Sequence, residues 1–168
     1  MSIEKVKLRP GDLLLFNRNG FFNKVIRIKT WSHISHVEVF GHRVNGDSTV
    51  YASRNGEGCG YYYMDTDGLA QIIRPTGKFS IKAAEDWFNR EQIWTQGYDY
   101  FGLLNFMYAR VVGKRNGRMF CSEFAARFLR AGGLDVFGDM DADTISPRDY
   151  LILPGRDLWS AETGVTDG

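Results

Sequence analysis

Short apolar runs dominate the first half of the chain, and their pattern predicts strands. The alternation and length of these runs are typical of buried or half-buried strands bounded by turn residues. The turn signal Asn45-Gly46-Asp47 separates two of them, and Pro75 ends the last. Between the first two strands, apolar residues recur at near-helical spacing from Phe21 to Lys29, which predicts a short helix. The predicted strands cover residues 11–16, 36–40, 49–53 and 69–74.

Helical signals dominate the second half. Ser80 is a plausible N-cap for a helix over residues 81–93. Gly132-Gly133 would end a helix over residues 121–130, and Ser146-Pro147 would start a short helical turn. A further helix is predicted over residues 101–112. We expect one domain over residues 1–168, with a core at about 10–152 and a mobile tail at about 160–168.

Composition and charge exclude several classes of protein. The 168 residues are 43% hydrophobic and 24% charged, as in ordinary globular domains. With 21 Lys and Arg against 20 Asp and Glu, no global field would recruit nucleic acid. No apolar run is long enough for a transmembrane segment, and the N-terminus lacks a signal peptide, so we expect a cytoplasmic protein. Two cysteines without zinc-type spacing predict neither a disulfide framework nor a metal, and no cofactor is expected.

Cys121 lies where a nucleophilic thiolate would be placed. It follows the Gly-rich segment 113–117 and starts the helix predicted over residues 121–130. Backbone N–H groups and the helix dipole at such a position favour the ionised sulfur, which is the reactive form. The competing interpretation is a small buried hydrophobic residue, the usual role of a lone cysteine.

His36 is the histidine best placed to serve as a base. It starts the second predicted strand, where alternation puts His36, Glu38 and Phe40 on one face and Val37 and Val39 on the other. A strand would hold the imidazole rigidly, as a general base requires. A purely structural histidine is the alternative.

Five short motifs, in order along the chain, carry a resemblance to a known family. Taken together they resemble the permuted papain-like cysteine hydrolases, the circularly permuted branch of the NlpC-type superfamily that contains the YiiX-like proteins and, more distantly, the lecithin–retinol acyltransferase group. The resemblance implies an α+β fold, with a small antiparallel sheet packed by helices and Cys121 facing His36. The motifs are Gly11 to Phe16, Ser35 to Val39, Tyr98-Asp99-Tyr100, Phe120 to Phe124 and Ser146 to Tyr150.

The resemblance also implies a reaction. His36 would take the Cys121 proton, the thiolate would attack an amide or ester carbonyl, and His36 would then protonate the leaving group and activate water. The Cys121 backbone N–H is a candidate oxyanion donor. Tyr98 is a candidate second donor, with core packing as the alternative role.

The third catalytic residue is where the sequence departs from the family pattern. Relatives usually place His, Asn, Gln or Glu on the strand after the histidine, and alignment puts Tyr51 there, with Ser53 on the same face. Tyr51 is therefore the first candidate, with Ser53 as an alternative. Glu38 is another, because it shares the His36 face two residues along the strand, unless it is a solvated strand carboxylate.

The substrate is predicted only by class. Relatives act on peptide-like amide bonds or on acyl esters and amides of lipids. The segment from Phe21 to Trp31 sets Lys24, Arg27 and Lys29 among apolar residues, which suits an anionic lipid or peripheral membrane contact, or a packed helix. A catalytically inactive binding or structural module, such as a virion- or secretion-associated component, is the alternative function. Delivery by a phage or a secretion system is compatible with the missing signal peptide, and the oligomeric state has no signal.

Overall fold

The structure, a computed structural model, describes residues 6–98 and 118–161. Within these ranges four consecutive strands follow the first helix, and most of the helices lie in the second half of the chain. The strands are β1 (Leu13–Phe16), β2 (His36–Val44), β3 (Asp47–Arg54), β4 (Gly58–Tyr63), β5 (Leu69–Pro75), β6 (Gly97–Tyr98), β7 (Arg118–Met119) and β8 (Gly155–Ser160). The α-helices are α1 (Phe21–Thr30), α2 (Ile81–Arg90) and α3 (Cys121–Ala131), and the 3-10 helices cover Ile93–Thr95, Ala142–Thr144 and Pro147–Ile152.

Six strands form one antiparallel sheet in the order β4-β3-β2-β1-β5-β8. β1 lies inside this sheet and all four of its residues are buried, which explains why its sequence is continuously apolar rather than alternating. β6 and β7 form a separate parallel pair that joins residues 97–98 to residues 118–119. That pair leads directly into α3.

Each face of the sheet has its own apolar core. On one face Leu13, Leu15, Val37 and Val39 pack with α2 and α3. On the other face a smaller cluster contains the β1 and β2 residues whose side chains alternate to that side, and Val6 and Leu158 complete it. This second cluster comprises Val6, Leu14, Phe16, Phe40, Val50, Leu69, Ile72 and Leu158. Alternation along β1 and β2 therefore sorts side chains between two layers.

The predicted α+β class is confirmed: an antiparallel sheet packs against the helix that Cys121 starts. The Ser80 hydroxyl accepts a hydrogen bond from the Ala83 N–H at 3.3 Å and caps α2, as its sequence predicts. α3 ends with Gly132 as its C-cap. Helix α1, the four predicted strands and the short helical turn after Ser146 are also present.

Four strands were not predicted from the sequence: the short pair β6 and β7, and the edge strands β4 and β8. β4 begins Gly58-Cys59-Gly60 and lacks a clean apolar alternation, and β8 begins with Gly155 and two charged residues. Both are edge strands, where one side of the strand has no partner strand and exposed polar residues are tolerated. β8 also extends the sheet beyond residue 152, where the core was expected to end.

Some predictions lie outside the described residues. These are the helix over residues 101–112, the Gly-rich segment 113–117 and the tail from residue 162 onward. The single-domain organisation stays a prediction. Of the helices in the described ranges, none has the length and hydropathy needed to cross a membrane.

Candidate active site

Cys121 is the first residue of α3. Phe120 precedes it as the N-cap in an extended conformation, and the Phe120 side chain accepts no hydrogen bond from the first turn of the helix. The N–H groups of this turn, that of Cys121 included, therefore keep the partial positive charge of a helix N-terminus. The sulfur lies below the surface, since Cys121 is only 1% exposed.

Three side-chain hydrogen bonds fix the start of α3. The Ser53 hydroxyl donates to the Met119 carbonyl at 2.7 Å, just before the helix. The Ser122 hydroxyl donates to the Ile145 carbonyl at 2.6 Å, and the Tyr150 hydroxyl donates to the Ser122 carbonyl at 2.7 Å. All of these groups are buried, where a hydrogen bond is costly to lose. The position of Cys121 is thus tied to β3 and to the segment after Ile145.

The Ser146-Pro147 motif folds as its sequence predicts and supports this attachment. Ser146 and Asp149 form a capping box, in which both the Ser146 N–H and its hydroxyl donate to Asp149 Oδ2, at 2.7 and 2.8 Å. The box starts the 3-10 helix that carries Tyr150 to the carbonyl of Ser122. Next to it, Arg148 donates to the Thr30 carbonyl at 2.8 Å and so ties α1 to the same segment.

His36 lies at the start of β2 and interacts with both Cys121 and Glu38. Its Nε2 is 3.1 Å from Glu38 Oε1, which leaves the opposite ring nitrogen for the thiol. Burial alone would lower the pKa of His36, but charge and hydrogen-bond interactions with Cys121, and then with Glu38, outweigh it and raise the pKa from 6.5 to about 9. The surroundings therefore favour the imidazolium form.

Glu38 is a fully buried carboxylate that contacts the side chains of Arg54, Arg18 and His36. Arg54 donates to both of its oxygens, at 2.9 and 3.1 Å, and Arg18 donates to Oε1 at 3.3 Å. Burial alone would raise the pKa of Glu38, but hydrogen bonds and charge interactions with His36 and Arg54 lower it from 4.5 to about 2. Glu38 is therefore ionised and oriented, and it is the residue that holds the His36 ring.

Both arginines are themselves positioned by aromatic rings. The Arg18 guanidinium lies 4.5 Å from the centre of the Phe16 ring, and that of Arg54 lies 4.5 Å from the centre of the Tyr62 ring. Arg54 also donates to the Tyr63 carbonyl at 3.2 Å. The aromatic rings therefore help to fix the two guanidinium groups in the positions from which they contact Glu38.

The structure does not bring Tyr51 or Ser53 to His36. The Tyr51 hydroxyl donates to Glu85 of α2 at 2.7 Å, and its ring stacks on Phe128 with centres 4.5 Å apart. Ser53 is occupied by the Met119 carbonyl. Tyr51 therefore packs on the side of the sheet that faces the helices. The sequence favoured Tyr51 as the partner of His36, but in the structure the side chain that contacts the His36 ring from its own strand is Glu38.

A bulge in the β2–β3 hairpin explains this difference. Near the turn Arg43 faces Ser48, and continuing that register would set Tyr51 opposite Phe40, on the face of His36 and Glu38. The register shifts between Phe40 and Arg43, and Tyr51 faces Val39 instead. Every β3 side chain beyond the bulge changes faces, which moves Tyr51 and Ser53 away from His36.

Gly41 makes the bulged arrangement possible. A Cβ at this position would lie 2.9 Å from Cε2 of the Tyr51 ring, closer than normal packing permits. The same shift moves Arg54 onto the face of Glu38, where it forms the contacts described above.

Tyr98, the second oxyanion candidate, is described only by its backbone. Tyr98 pairs with Met119 in the small β6–β7 sheet, and Met119 lies two residues before Cys121 in the chain. The side chain of Tyr98 lies outside the described residues, and its role stays a prediction. Cys59 has a different environment from Cys121: burial raises the pKa of its thiol to about 11, which disfavours the thiolate.

Sequence reasoning missed Arg54, Arg18 and Tyr150. The Tyr150 hydroxyl could have been suspected from its place in the Ser146 to Tyr150 motif. The arginines gave no such signal, because their contact with Glu38 depends on strand register. No group of three or more His, Cys, Asp or Glu side chains suited to a metal occurs within residues 6–98 and 118–161.

Comparisons with known proteins reveal a similarity of fold. No family model and no curated protein matches the sequence. Among solved structures, the chain is similar to the crystal structure of the metalloprotein yiiX from Escherichia coli O157:H7, DUF1105, with a TM-score of 0.63 and 15% sequence identity. The similarity covers 90% of this chain and 97% of that one. The fold is therefore YiiX-like over nearly the whole of both chains.

Proposed function

We propose that this protein is a cysteine hydrolase of amide or ester bonds, with Cys121 as nucleophile, His36 as acid and base, and Glu38 as the residue that orients His36. One observation carries the proposal. A thiol at a helix N-terminus interacts with an imidazole whose other ring nitrogen is held by a buried, ionised carboxylate. This is the arrangement of nucleophile, base and orienting group on which covalent catalysis depends.

The reaction would run in two steps. His36 takes the proton from Cys121, and the thiolate attacks the carbonyl carbon of the substrate. The resulting oxyanion faces the Cys121 N–H and, in our proposal, the Tyr98 hydroxyl. His36 returns the proton to the leaving amine or alcohol, which leaves a thioester. Water, deprotonated by His36, then attacks the thioester and releases the carboxylic acid and the thiol.

Glu38 would differ from the usual orienting residue in coming from the strand that carries the histidine. Its contact with Nε2 fixes the ring so that the other nitrogen meets the sulfur. Arg54 and Arg18 keep Glu38 ionised in a buried site. The YiiX-like fold and the order of the motifs together support placing the chain with the permuted papain-like hydrolases, and peptide-like or acyl-lipid substrates follow from that placement.

The similar protein yiiX is described as a metalloprotein. The donor set of the described residues does not fit a metal here. Glu38 is the carboxylate that contacts His36, and both of its oxygens already accept hydrogen bonds from guanidinium groups. We therefore derive no step through a metal.

The near-complete burial of Cys121 favours a second candidate function. With 1% exposure, the thiol would be inaccessible in a rigid molecule. A binding or structural module that keeps the Cys–His pair as a packing element would have the same appearance.

Alkylation separates the two candidates. Folded wild-type protein treated with iodoacetamide at neutral pH should gain one adduct on Cys121, and His36→Ala should slow its formation about tenfold or more, because the imidazolium no longer stabilises the thiolate. Intact mass and peptide mapping measure both. Cys59→Ser is the matched control and should react like the wild type, since the thiol removed is buried and protonated.

An unreactive Cys121 in the folded chain, or a rate indifferent to His36, would rule out the hydrolase in favour of the module. For a reactive thiol, an acyl-phenyl ester and a peptide amide, each followed by mass spectrometry, would report the thioester intermediate. Trapping with one probe and not the other assigns the bond type.

A further inference from the structure

Helix α1 exposes apolar side chains on the face that points away from the protein. Ile26 and Thr30 are buried and mark the packed face of the helix. Ile28 is 66% exposed, and Trp31, the C-cap, is 90% exposed. Helical geometry places Ile28 and Trp31 one turn apart on the side opposite to Ile26. An outward helix face of an ordinary domain is polar, so this one requires an explanation.

The backbone of Trp31 strengthens the case. Its φ of 50° lies in the left-handed region, which bulky residues rarely adopt. The Trp31 N–H closes the helix on the carbonyls of Arg27 and Ile28, a task that Gly or Asn performs with less strain. The indole is thus held in solvent at a strained position without serving the core.

Positive charge surrounds the exposed apolar pair. Between Asp12 and Glu38 the sequence contains no acidic residue, while α1 itself contains Lys24, Arg27 and Lys29. Lys24 is exposed one turn before Ile28, on the same helix face. Arg27 donates to the side-chain oxygen of Asn17, a neutral group. Across residues 6–98 and 118–161, neither Lys24 nor Arg27 forms a salt bridge.

We propose that the outward face of α1, comprising Lys24, Arg27, Ile28 and Trp31, docks on an anionic lipid surface. Tryptophan prefers the membrane–water interface, where its ring is apolar and its N–H is hydrated. Lysine and arginine beside it are attracted to anionic headgroups. A neutral or cationic surface would not complement this face. Docking needs no catalysis, and the inference is therefore independent of the proposed hydrolase.

The docking face lies close to the candidate active site. Trp31 is followed by Ser32 to Ser35 and then by His36. The Ser35 N–H donates to the Phe16 carbonyl at 2.8 Å and anchors this short connection at the end of β1. A membrane bound at α1 would therefore lie near the end of β2 that carries His36. If the hydrolase proposal also holds, lipid-borne acyl groups are the substrate class that this placement favours.

Vesicle sedimentation of the full chain tests the proposal. Wild-type protein should sediment with phosphatidylcholine vesicles containing one third phosphatidylglycerol, and not with phosphatidylcholine alone. Raising the salt from about 0.1 M to about 1 M shortens the Debye length from ~10 Å to ~3 Å and should release it. Trp31→Asn should weaken binding about tenfold or more, and Lys24→Gln about fivefold.

Trp94→Ala is the matched control. Trp94 is also an exposed tryptophan, but its 3-10 helix packs against β4 and α2. This variant should bind vesicles like the wild type. Thermal unfolding of Trp31→Asn should occur at an unchanged or higher temperature, because Asn tolerates the left-handed conformation. A weakened affinity in that variant is then not a folding defect.

Three results would overturn the proposal: wild-type protein that ignores anionic vesicles, equal binding by Trp31→Asn, or a dimer that dissociates in that variant, which would assign the face to a second copy. Repeating the assay with Cys121→Ser keeps the two proposals apart. That variant should bind vesicles normally whether or not the protein is a hydrolase.

Discussion

Strand β2 carries two histidine–carboxylate pairs, one near each end, and they are held in different surroundings. His36 contacts Glu38 at 3.1 Å with side chains 8% and 0% exposed, while His42 contacts Glu85 at 2.6 Å with side chains 40% and 28% exposed. Judged by the N···O distance alone, the His42–Glu85 pair would be the stronger interaction. Burial reverses the order, because water and salt screen the exposed pair and leave the buried one at nearly full strength.

The neighbours of the two carboxylates differ as well. Glu38 accepts hydrogen bonds from two guanidinium groups, and its histidine interacts with the Cys121 thiol. Glu85 accepts a hydrogen bond from the Tyr51 hydroxyl, a neutral group. The first pair therefore belongs to a buried charge network around the imidazole that interacts with Cys121. The second is a connection between β2, β3 and α2. Each of the following three predictions tests this contrast.

Replacing Glu38 should have the largest effect. Glu38→Gln keeps the shape but removes the charge, which leaves the half-buried Arg54 and Arg18 groups without the buried carboxylate that both of them contact. We expect a loss of about 3–5 kcal/mol in the free energy of unfolding, measured by urea denaturation. The same variant should slow alkylation of Cys121. A loss below about 1 kcal/mol would mean that the site is solvated and the contrast with Glu85 is false.

The pH dependence of stability should have an intermediate effect. The pKa of His36 is raised from 6.5 to about 9, so its favourable contribution is fully present below pH 6.5 and is lost as the pH rises through about 9. For one buried histidine this amounts to about 3 kcal/mol. Glu38, whose pKa is lowered from 4.5 to about 2, contributes above pH 4.5 and loses its contribution as the pH falls through about 2.

Unfolding measured between pH 6 and pH 10 would reveal the alkaline loss. Cys121→Ala should reduce it, because the sulfur is the main group that raises the pKa of His36. Persistence of the full loss in Cys121→Ala would contradict the Cys–His interaction.

Glu85→Gln should have the smallest effect. The pair with His42 is partly exposed, and such pairs contribute about 0–1 kcal/mol. Gln can still accept the hydrogen bond from the Tyr51 hydroxyl, which limits the loss further. We expect a change below about 1 kcal/mol in urea denaturation and no change in the alkylation rate of Cys121. A larger destabilisation would mean that the His42–Glu85 pair contributes to stability as much as the buried His36–Glu38 pair does.

Much of the fold could be predicted from the sequence, because local patterns determine it. The apolar run of β1, the Ser80 cap of α2 and the glycines after α3 are signals that a few neighbouring residues carry. Cys121 at a helix start and His36 at a strand start belong to the same kind of signal. The edge strands β4 and β8 lacked it, since their side chains are only partly buried.

The partners of His36 could not be predicted with the same ease. The alternation of side chains along one strand is a local property of the sequence. It was enough to place Glu38 on the same face as His36 and to make it an alternative candidate for the third residue. The choice of Tyr51 required the register between two strands, which the bulge between Phe40 and Arg43 changes. Arg54 escaped notice for the same reason. Contacts across strands depend on register, and one added residue reverses every face beyond it.

The bulge also has an evolutionary consequence. Adding or removing one codon between Phe40 and Arg43 exchanges the set of β3 side chains that faces His36. Cys121, its helix and His36 need no change for that exchange. One codon in this hairpin therefore decides whether Arg54, or instead Tyr51 and Ser53, lies on the face of the sheet that carries His36 and Glu38.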